Sequence, residues 1–277
     1  MFLKRLFGQV KSMDSKEAAT YMKKHDEGMF TLLDVRQPKE YEKAHIPGAK
    51  LIPLSALGDS LNELNPARPV IVYCAMGGRS RVAAQLLSGQ GFEEIYNLQG
   101  GIKAWQGLEA TGPKELNLDL VRGDETPAEI VMLAYNMEDS LQTYYKAMHD
   151  KAEDQELREL FSKLASIEDK HKQTVLELSA KIEAVGKSTE ISKADTGKMV
   201  LEGGFDMAEF MEQNEPILKT VPNVIDLAMM LETQALDLYL RFAAKSTNAD
   251  TKDVLFKIAQ EEKGHLAALG RLMEEKI

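Results

Sequence analysis

Glu168-Asp169-Lys170-His171 and Glu262-Lys263-Gly264-His265 stand 94 residues apart and read as one device written twice. A spacing of three puts a Glu and a His on one helix face, one turn apart. Alone, a Glu-x-x-His in a Glu-rich helix reads as a solvated face. The flanking residues decide against that here. Phe161, Leu164, Glu168, His171 and Val175 follow at spacings of 3, 4, 3 and 4, and Leu255, Ile258, Glu262, His265, Leu269 and Leu272 keep the same rhythm. Both carboxylates and both imidazoles fall on the seam that a helix turns toward a bundle core.

The repeat extends outward at the same shift. Leu133, Ala134, Glu138, Tyr145 and Lys151 fall on Leu227, Ala228, Glu232, Tyr239 and Lys245. Glu138 shares a face with Ala134, Leu141 and Tyr145, and Glu232 shares one with Ala228, Ala235, Tyr239 and Phe242. The pattern predicts long helices over 126–151, 153–185, 220–245 and 249–275, with a crossover at 186–222 that carries a short helix near 205–213. Two helix pairs joined by a crossover make an all-α four-helix bundle. Four carboxylates in one core cost several kcal/mol or more if unpaired. Two divalent cations would neutralise them, with two neutral imidazoles completing the set, and oxygen with imidazole suits iron or manganese.

Residues 126–277 thereby resemble the ferritin-like superfamily, nearest to its rubrerythrin branch, whose dimetal bundles use this ligand pattern. The resemblance implies Glu138, Glu168, His171, Glu232, Glu262 and His265 as ligands of two iron (or manganese) ions per chain, with Glu168 and Glu262 bridging. Tyr145 and Tyr239 are expected to support the ligands from the same faces. Two departures stand out. Rubrerythrins often carry a further carboxylate one turn along the third helix, but Met229 and Ala235 flank Glu232 at that distance. A rubredoxin-like iron site needs four cysteines, and the chain has only Cys74. Both departures bear on rubrerythrin-style peroxidase activity; a di-iron oxidoreductase or peroxidase activity beside the sulfurtransferase is what the resemblance implies.

Residues 1–110 read as an α/β domain. Thr31–Val35, Ala49–Ile52, Val70–Tyr73 and Ile95–Leu98 have strand character, and Ser80–Gln90 reads as a helix with Val82, Ala83, Leu86 and Leu87 on its inner face. Alternating strands and helices predict a largely parallel, buried sheet with flanking helices. Cys74 follows the strand Val70–Tyr73 and precedes Ala75, Met76, Gly77, Gly78 and Arg79, with the helix starting near Ser80. Such a loop directs backbone N–H groups inward as an anion nest. Arg79 adds forked donors, and together they favour the thiolate. A plain buried cysteine would need neither.

This loop resembles that of rhodanese-like sulfurtransferases. The likeness also covers Leu33-Asp34-Val35-Arg36, Glu40-Tyr41, His45-Ile46-Pro47-Gly48-Ala49 and Leu98-Gln99-Gly100-Gly101-Ile102-Lys103-Ala104-Trp105. It implies a persulfide on Cys74, residues 75–80 as the substrate cradle, and scaffold roles for Asp34, Arg36 and His45. It implies thiosulfate or a polysulfide as donor and a thiol as acceptor. Cysteine phosphatases place five residues between Cys and Arg; here there are four, a tighter cradle suited to sulfur.

Residues 111–125, rich in Gly, Pro and charge, are expected to link the two domains. Net charge is −10, unevenly spread: residues 1–110 carry 14 Lys+Arg and 12 Asp+Glu, and 111–277 carry 20 and 32. An acidic half argues against nucleic acid as a partner. No apolar run reaches the 18 or so residues of a membrane span, and the start, Met1-Phe-Leu-Lys-Arg-Leu-Phe, is too short and charged for a secretory leader. A single cysteine fits a reducing compartment, so a cytoplasmic protein is expected. Ferritin-like relatives often dimerise, which makes a homodimer an expectation. The reading as a whole is a sulfurtransferase coupled to a dimetal redox site acting on O2, peroxide or a sulfur species. The alternative is a metal-binding or sensing bundle with a rhodanese docking module.

Overall fold

The computed structural model describes residues 9–183 and 199–276. The opening heptapeptide and residues 186–198 of the expected crossover lie outside the described residues. The chain divides into two compact units between Leu116 and Asn117.

In the first unit, strands β1 (Gln9–Met13), β2 (Thr31–Asp34), β3 (Lys50–Leu51), β4 (Val70–Tyr73) and β5 (Glu94–Leu98) form one parallel sheet in the order β1-β5-β4-β2-β3. β4 is central and buried throughout, as its unbroken Val-Ile-Val-Tyr run requires. One face packs Leu33, Val72, Ala83 and Leu87; the other packs Leu32, Ile71, Tyr73 and Ile102. Helices α1 (Ser15–Lys24) and α2 (Pro38–Lys43) and the edge strand β1 went unmarked in the sequence reading. Helix α3 (Gly78–Gly89) matches expectation, but its inner face does not. Val82 is exposed, whereas Ser80, Ala83, Ala84, Leu87 and Ser88 are buried. The buried stripe runs 80, 83/84, 87/88 at helical spacing, so Ser80, not Val82, lies on the inner face.

The second unit is helical. Helices α4 (Pro127–Lys151) and α5 (Gln155–Glu183) pair, as do α7 (Val221–Lys245) and α8 (Ala249–Lys276). The short helix α6 (Met207–Asn214) lies in the crossover. Capping boxes start α1 at Asp14 and α4 at Thr126, each with a Glu three residues on. The core gathers Leu141, Tyr145, Phe161, Leu164, Ala228 and Leu231. A fully buried Leu or Phe of this kind contributes about 1.5–3 kcal/mol. Residues 117–125, expected as linker, are built into this unit. Val121 and Glu125 are buried, Thr251 donates to the Glu125 carbonyl at 2.6 Å, and Thr247 N–H donates to the Gly123 carbonyl at 2.7 Å. No helix among the described residues is long and apolar enough to cross a membrane.

Candidate functional sites

The first site sits at the C-terminal end of β4, where a parallel sheet leaves a crevice. Cys74 is buried. Its Sγ accepts from the Gly77 N–H at 3.1 Å and from the Ser80 hydroxyl at 3.5 Å. Burial raises the thiol's pKa, but the Ser80 hydroxyl and the N–H groups of Ser80, Met76 and Gly77 outweigh it, so the net shift is downward. Gly77 makes the turn with φ +93°, a left-handed value that suits glycine. Met76 is exposed at the rim.

The loop is held from below by the Gly100-Gly101 segment. Ile102 N–H donates to the Cys74 carbonyl at 2.8 Å and Lys103 N–H to the Ala75 carbonyl at 3.1 Å. Gly101 has φ +59°, and a Cβ there would stand 2.2 Å from the Cys74 carbonyl oxygen. Arg79 is not simply aimed at the sulfur. Its fork grips Glu40 with two bonds of 2.7 Å, holding the Glu40 carboxyl down at about 2. Asp34 and Arg36 form a buried bidentate pair, with Arg36 also donating to the Ala44 carbonyl at 2.7 Å. His45 stacks on Tyr41, and its backbone bonds Ala110 in both directions. All three brace the strand ends rather than face the sulfur.

The second site lies inside the helical unit. Glu138 from α4, Glu168 and His171 from α5, Glu232 from α7 and Glu262 from α8 are buried, and the His265 side chain is 12% exposed. The six converge. His171 Nδ1 lies 2.8 Å from Glu168 and 3.5 Å from Glu138; His265 Nδ1 lies 3.0 Å from Glu262 and 3.3 Å from Glu232. The two imidazoles stack with centroids 3.2 Å apart. Donor atoms of Glu138, His171 and His265 fall within 4.8 Å of one another, as do those of Glu168, His171 and Glu232, and of Glu232, Glu262 and His265. A cavity of about 290 Å³ reaches the cluster past Tyr145 and Ile167. The Tyr239 hydroxyl meets Met137 Sδ at 3.8 Å rather than a carboxylate.

Electrostatics show how crowded this cluster is. Burial first, then neighbouring carboxylates, push the Glu138 carboxyl well above its ordinary range. Burial likewise raises Glu262, although His265 opposes it. Burial raises Glu232 too, but its bonds to His265 and Glu262 win and lower it. Burial lowers His265, but Glu262 and Glu232 outweigh this and lift it to about 11. Glu138 Oε2, Glu168 Oε2 and His171 Nδ1 are buried and make no well-aligned hydrogen bond, even though His171 Nδ1 and Glu168 Oε2 stand only 2.8 Å apart. Buried donor atoms left over in this way fit a pair of cations.

One residue escaped the sequence reading. Glu202, from the turn Glu202–Gly204 in the crossover, is fully buried among these carboxylates. An acidic residue beside Gly203-Gly204 was the only signal, and it carries no periodicity. His25 and His149 stand apart, against the Tyr21 carbonyl and Asp150.

Comparison with known proteins agrees with both halves. Residues 17–108 match the rhodanese-like domain family, and residues 129–273 match the rubrerythrin family. The chain is 51% identical over 76 residues to the uncharacterized protein YqhL of Bacillus subtilis, covering 27% of this chain and 60% of that protein. It is 45% identical over 78 residues to the Arabidopsis thaliana rhodanese-like/PpiC domain-containing protein 12, chloroplastic, covering 27% and 26%. The chain thus spans less than two thirds of these relatives. Among solved structures, a rhodanese-like domain protein from Staphylococcus aureus is 33% identical, covering 34% of this chain and 90% of that one, at a TM-score of 0.32. The rubrerythrin match spans more than half of the sequence: the chain belongs to the rubrerythrin family and carries a rhodanese-like domain ahead of that region.

Proposed function

We propose that the first unit is a sulfurtransferase working through a Cys74 persulfide. The observation that supports this most is the bonding of Sγ by the Gly77 N–H and the Ser80 hydroxyl at the start of α3. Those donors stabilise a thiolate and would equally hold the terminal sulfur of a persulfide. With thiosulfate, the Cys74 thiolate attacks the sulfane sulfur. The new S–S bond forms at Cys74, the donor S–S bond breaks, and sulfite leaves with that electron pair. A thiolate acceptor then attacks the outer sulfur, and Cys74 departs as thiolate. Arg79, fixed by Glu40, shapes the cradle's rim.

In the second unit, Glu138, Glu168, His171, Glu232, Glu262 and His265 would hold two metal ions, iron or manganese. Bound iron would supply redox chemistry toward O2, peroxide or a sulfur species. The chain's own contribution is to place four carboxylates and two imidazoles in a buried cluster that a cavity reaches. Tyr145 lines that cavity. We further propose that the metal site protects or processes sulfur carried on Cys74, since peroxide over-oxidises thiolates and the Cys74 thiol is shifted toward that form.

The test combines intact mass with metal analysis on anaerobically purified protein. Thiosulfate should add about 32 Da to the chain, removable by a reductant, as one sulfur on the nucleophile requires. Absence of that adduct overturns the sulfur reading. Identical decay of the persulfide under peroxide in wild type and Glu262→Ala overturns the link between the two chemistries.

A further inference from the structure

Residues 200–206 form a small closed loop. Val200 and Asp206 bridge antiparallel, Leu201 N–H donates to the Phe205 carbonyl at 2.8 Å, and Gly204 N–H donates to the Leu201 carbonyl at 3.0 Å. Gly203 and Gly204 take φ of +77° and +86°, which side chains other than glycine rarely adopt. A Cβ on Gly203 would stand 2.8 Å from Gln234 Cβ, and one on Gly204 would stand 2.3 Å from Asn117 Nδ2. Asn117 in turn donates to the Gly203 carbonyl at 2.8 Å. The loop is therefore clamped in a shape that glycines alone permit, and what it drives into the bundle is Glu202.

Glu202 is 0% exposed, and neither of its carboxylate oxygens has a hydrogen-bond partner. A buried carboxyl without a partner costs several kcal/mol or so. A purely structural acid would use its proton in a hydrogen bond, and none is made. Its oxygens, with those of Glu138 and Glu262, lie within 4.8 Å of one another. This is the spacing of donors around one ion, not of acids avoiding each other.

We propose that Glu202 is a fifth carboxylate ligand of the dimetal centre, supplied by the crossover loop and shared on one ion with Glu138 and Glu262. The proposal rests on the metal reading of the helical unit. Four carboxylates balance two divalent ions; a fifth balances one divalent and one trivalent ion. Glu202 thereby favours the oxidised form of one metal.

The test uses the full chain and cobalt(II) alone as probe, with affinity from titration and the ligand field from visible absorption. Wild type should take up two ions. Glu202→Gln keeps the shape of the side chain, so the fold should survive. One ion should bind at least about 10-fold more weakly, the lower end of what even indirect ligand support is worth, with a changed cobalt spectrum. Glu202→Asp, which keeps the charge but shortens the reach, should fall between. Two ions bound by Glu202→Gln with wild-type affinity and spectrum would overturn the proposal and leave Glu202 a buried neutral acid. Wild-type protein that takes up no cobalt would instead overturn the metal reading itself, a result distinguishable from the first.

Discussion

The two sites solve the problem of a reactive group in opposite ways. Around Cys74 the backbone does most of the work: N–H groups of a glycine turn face the sulfur, and the nearby charges Arg79, Glu40, Asp34 and Arg36 are paired with one another. In the bundle the backbone is consumed by helices, so side chains alone build the site, and they are left over-charged and under-bonded. The first site is complete without a ligand. On the proposed metal reading, the second is complete only with cations. Substitutions should therefore act on chemistry at the first site and on stability and metal content together at the second.

The largest effect is expected at the nucleophile. Cys74→Ser should reduce thiosulfate sulfurtransferase activity to background, because a hydroxyl is a poor nucleophile where no base is at hand. Metal content and thermal unfolding should match wild type. A variant that also loses metal would break the separation between the sites. Next comes the Glu168→Ala, Glu262→Ala double variant, which should lose both ions by elemental analysis yet form the Cys74 persulfide at the wild-type rate. Full metal content in that variant would overturn the ligand set.

A pH series sharpens the contrast. Glu138, Glu202 and Glu262 have folded pKa values raised mainly by burial. Each therefore contributes stability below the ordinary 4.5 that is lost as pH rises through the folded value. His265, raised to about 11, adds a loss in the same direction above its ordinary 6.5. Glu232 is lowered, and its opposite contribution is complete by pH 4.5. Chelated protein should thus melt its helical signal at lower temperature at pH 8 than at pH 5. Metal should remove most of that slope. A flat or rising melting temperature in the metal-free protein would contradict the crowding of carboxylates.

Much of this contrast was readable in the sequence, and the missing parts have physical reasons. The seam Phe161-Leu164-Glu168-His171-Val175 is legible because a 3–4 rhythm survives whatever the helix meets, and each of its residues is buried. Cys74 is legible because an apolar strand and a glycine turn are local signals. Glu202 is not, since a seven-residue loop clamped by Asn117 depends on contacts more than 80 positions away. The grip of Glu40 on Arg79 spans 39 positions and was hidden for the same reason. β1 carries the run Gln-Val-Lys-Ser-Met with Val10 exposed, too polar to announce a strand before its partner β5 is known. Helix α1, by contrast, does carry a local signal, the Asp14 and Glu17 capping box.

Gly101→Ala should produce a moderate effect. The added Cβ meets the Cys74 carbonyl, and a φ of +59° is strained for alanine. A cost of about 1–3 kcal/mol is expected, the range for a strained backbone position. It should appear as a lower melting temperature of the first unit and slower persulfide formation, with cobalt binding unchanged. Wild-type kinetics would mean that the Gly100-Gly101 segment does not hold the loop.

The smallest expected effect concerns the Glu40–Arg79 pair. Both side chains are about one-third exposed, 36% and 35%, so the pair itself should contribute only about 0.2–1 kcal/mol to stability. Its consequence for chemistry is separate from its strength. Glu40 titrates at about 2, so it is ionised at any practical assay pH and cancels the Arg79 charge beside the sulfur cradle. Thiosulfate carries two negative charges, while an uncharged sulfur donor does not feel that cancellation. Glu40→Gln should free the guanidinium, lower KM for thiosulfate by a few-fold, on the order of the exposed-pair energy above, and leave kcat near wild type. The gain should shrink in high salt, because exposed charges are screened within about 10 Å at 0.1 M. A neutral polysulfane donor should show no change in KM. An equal gain for both donors would point to a loosened loop instead, and would erase the distinction between a charge-neutral loop around the cysteine and a charge-laden carboxylate cluster at the point where it is most finely drawn.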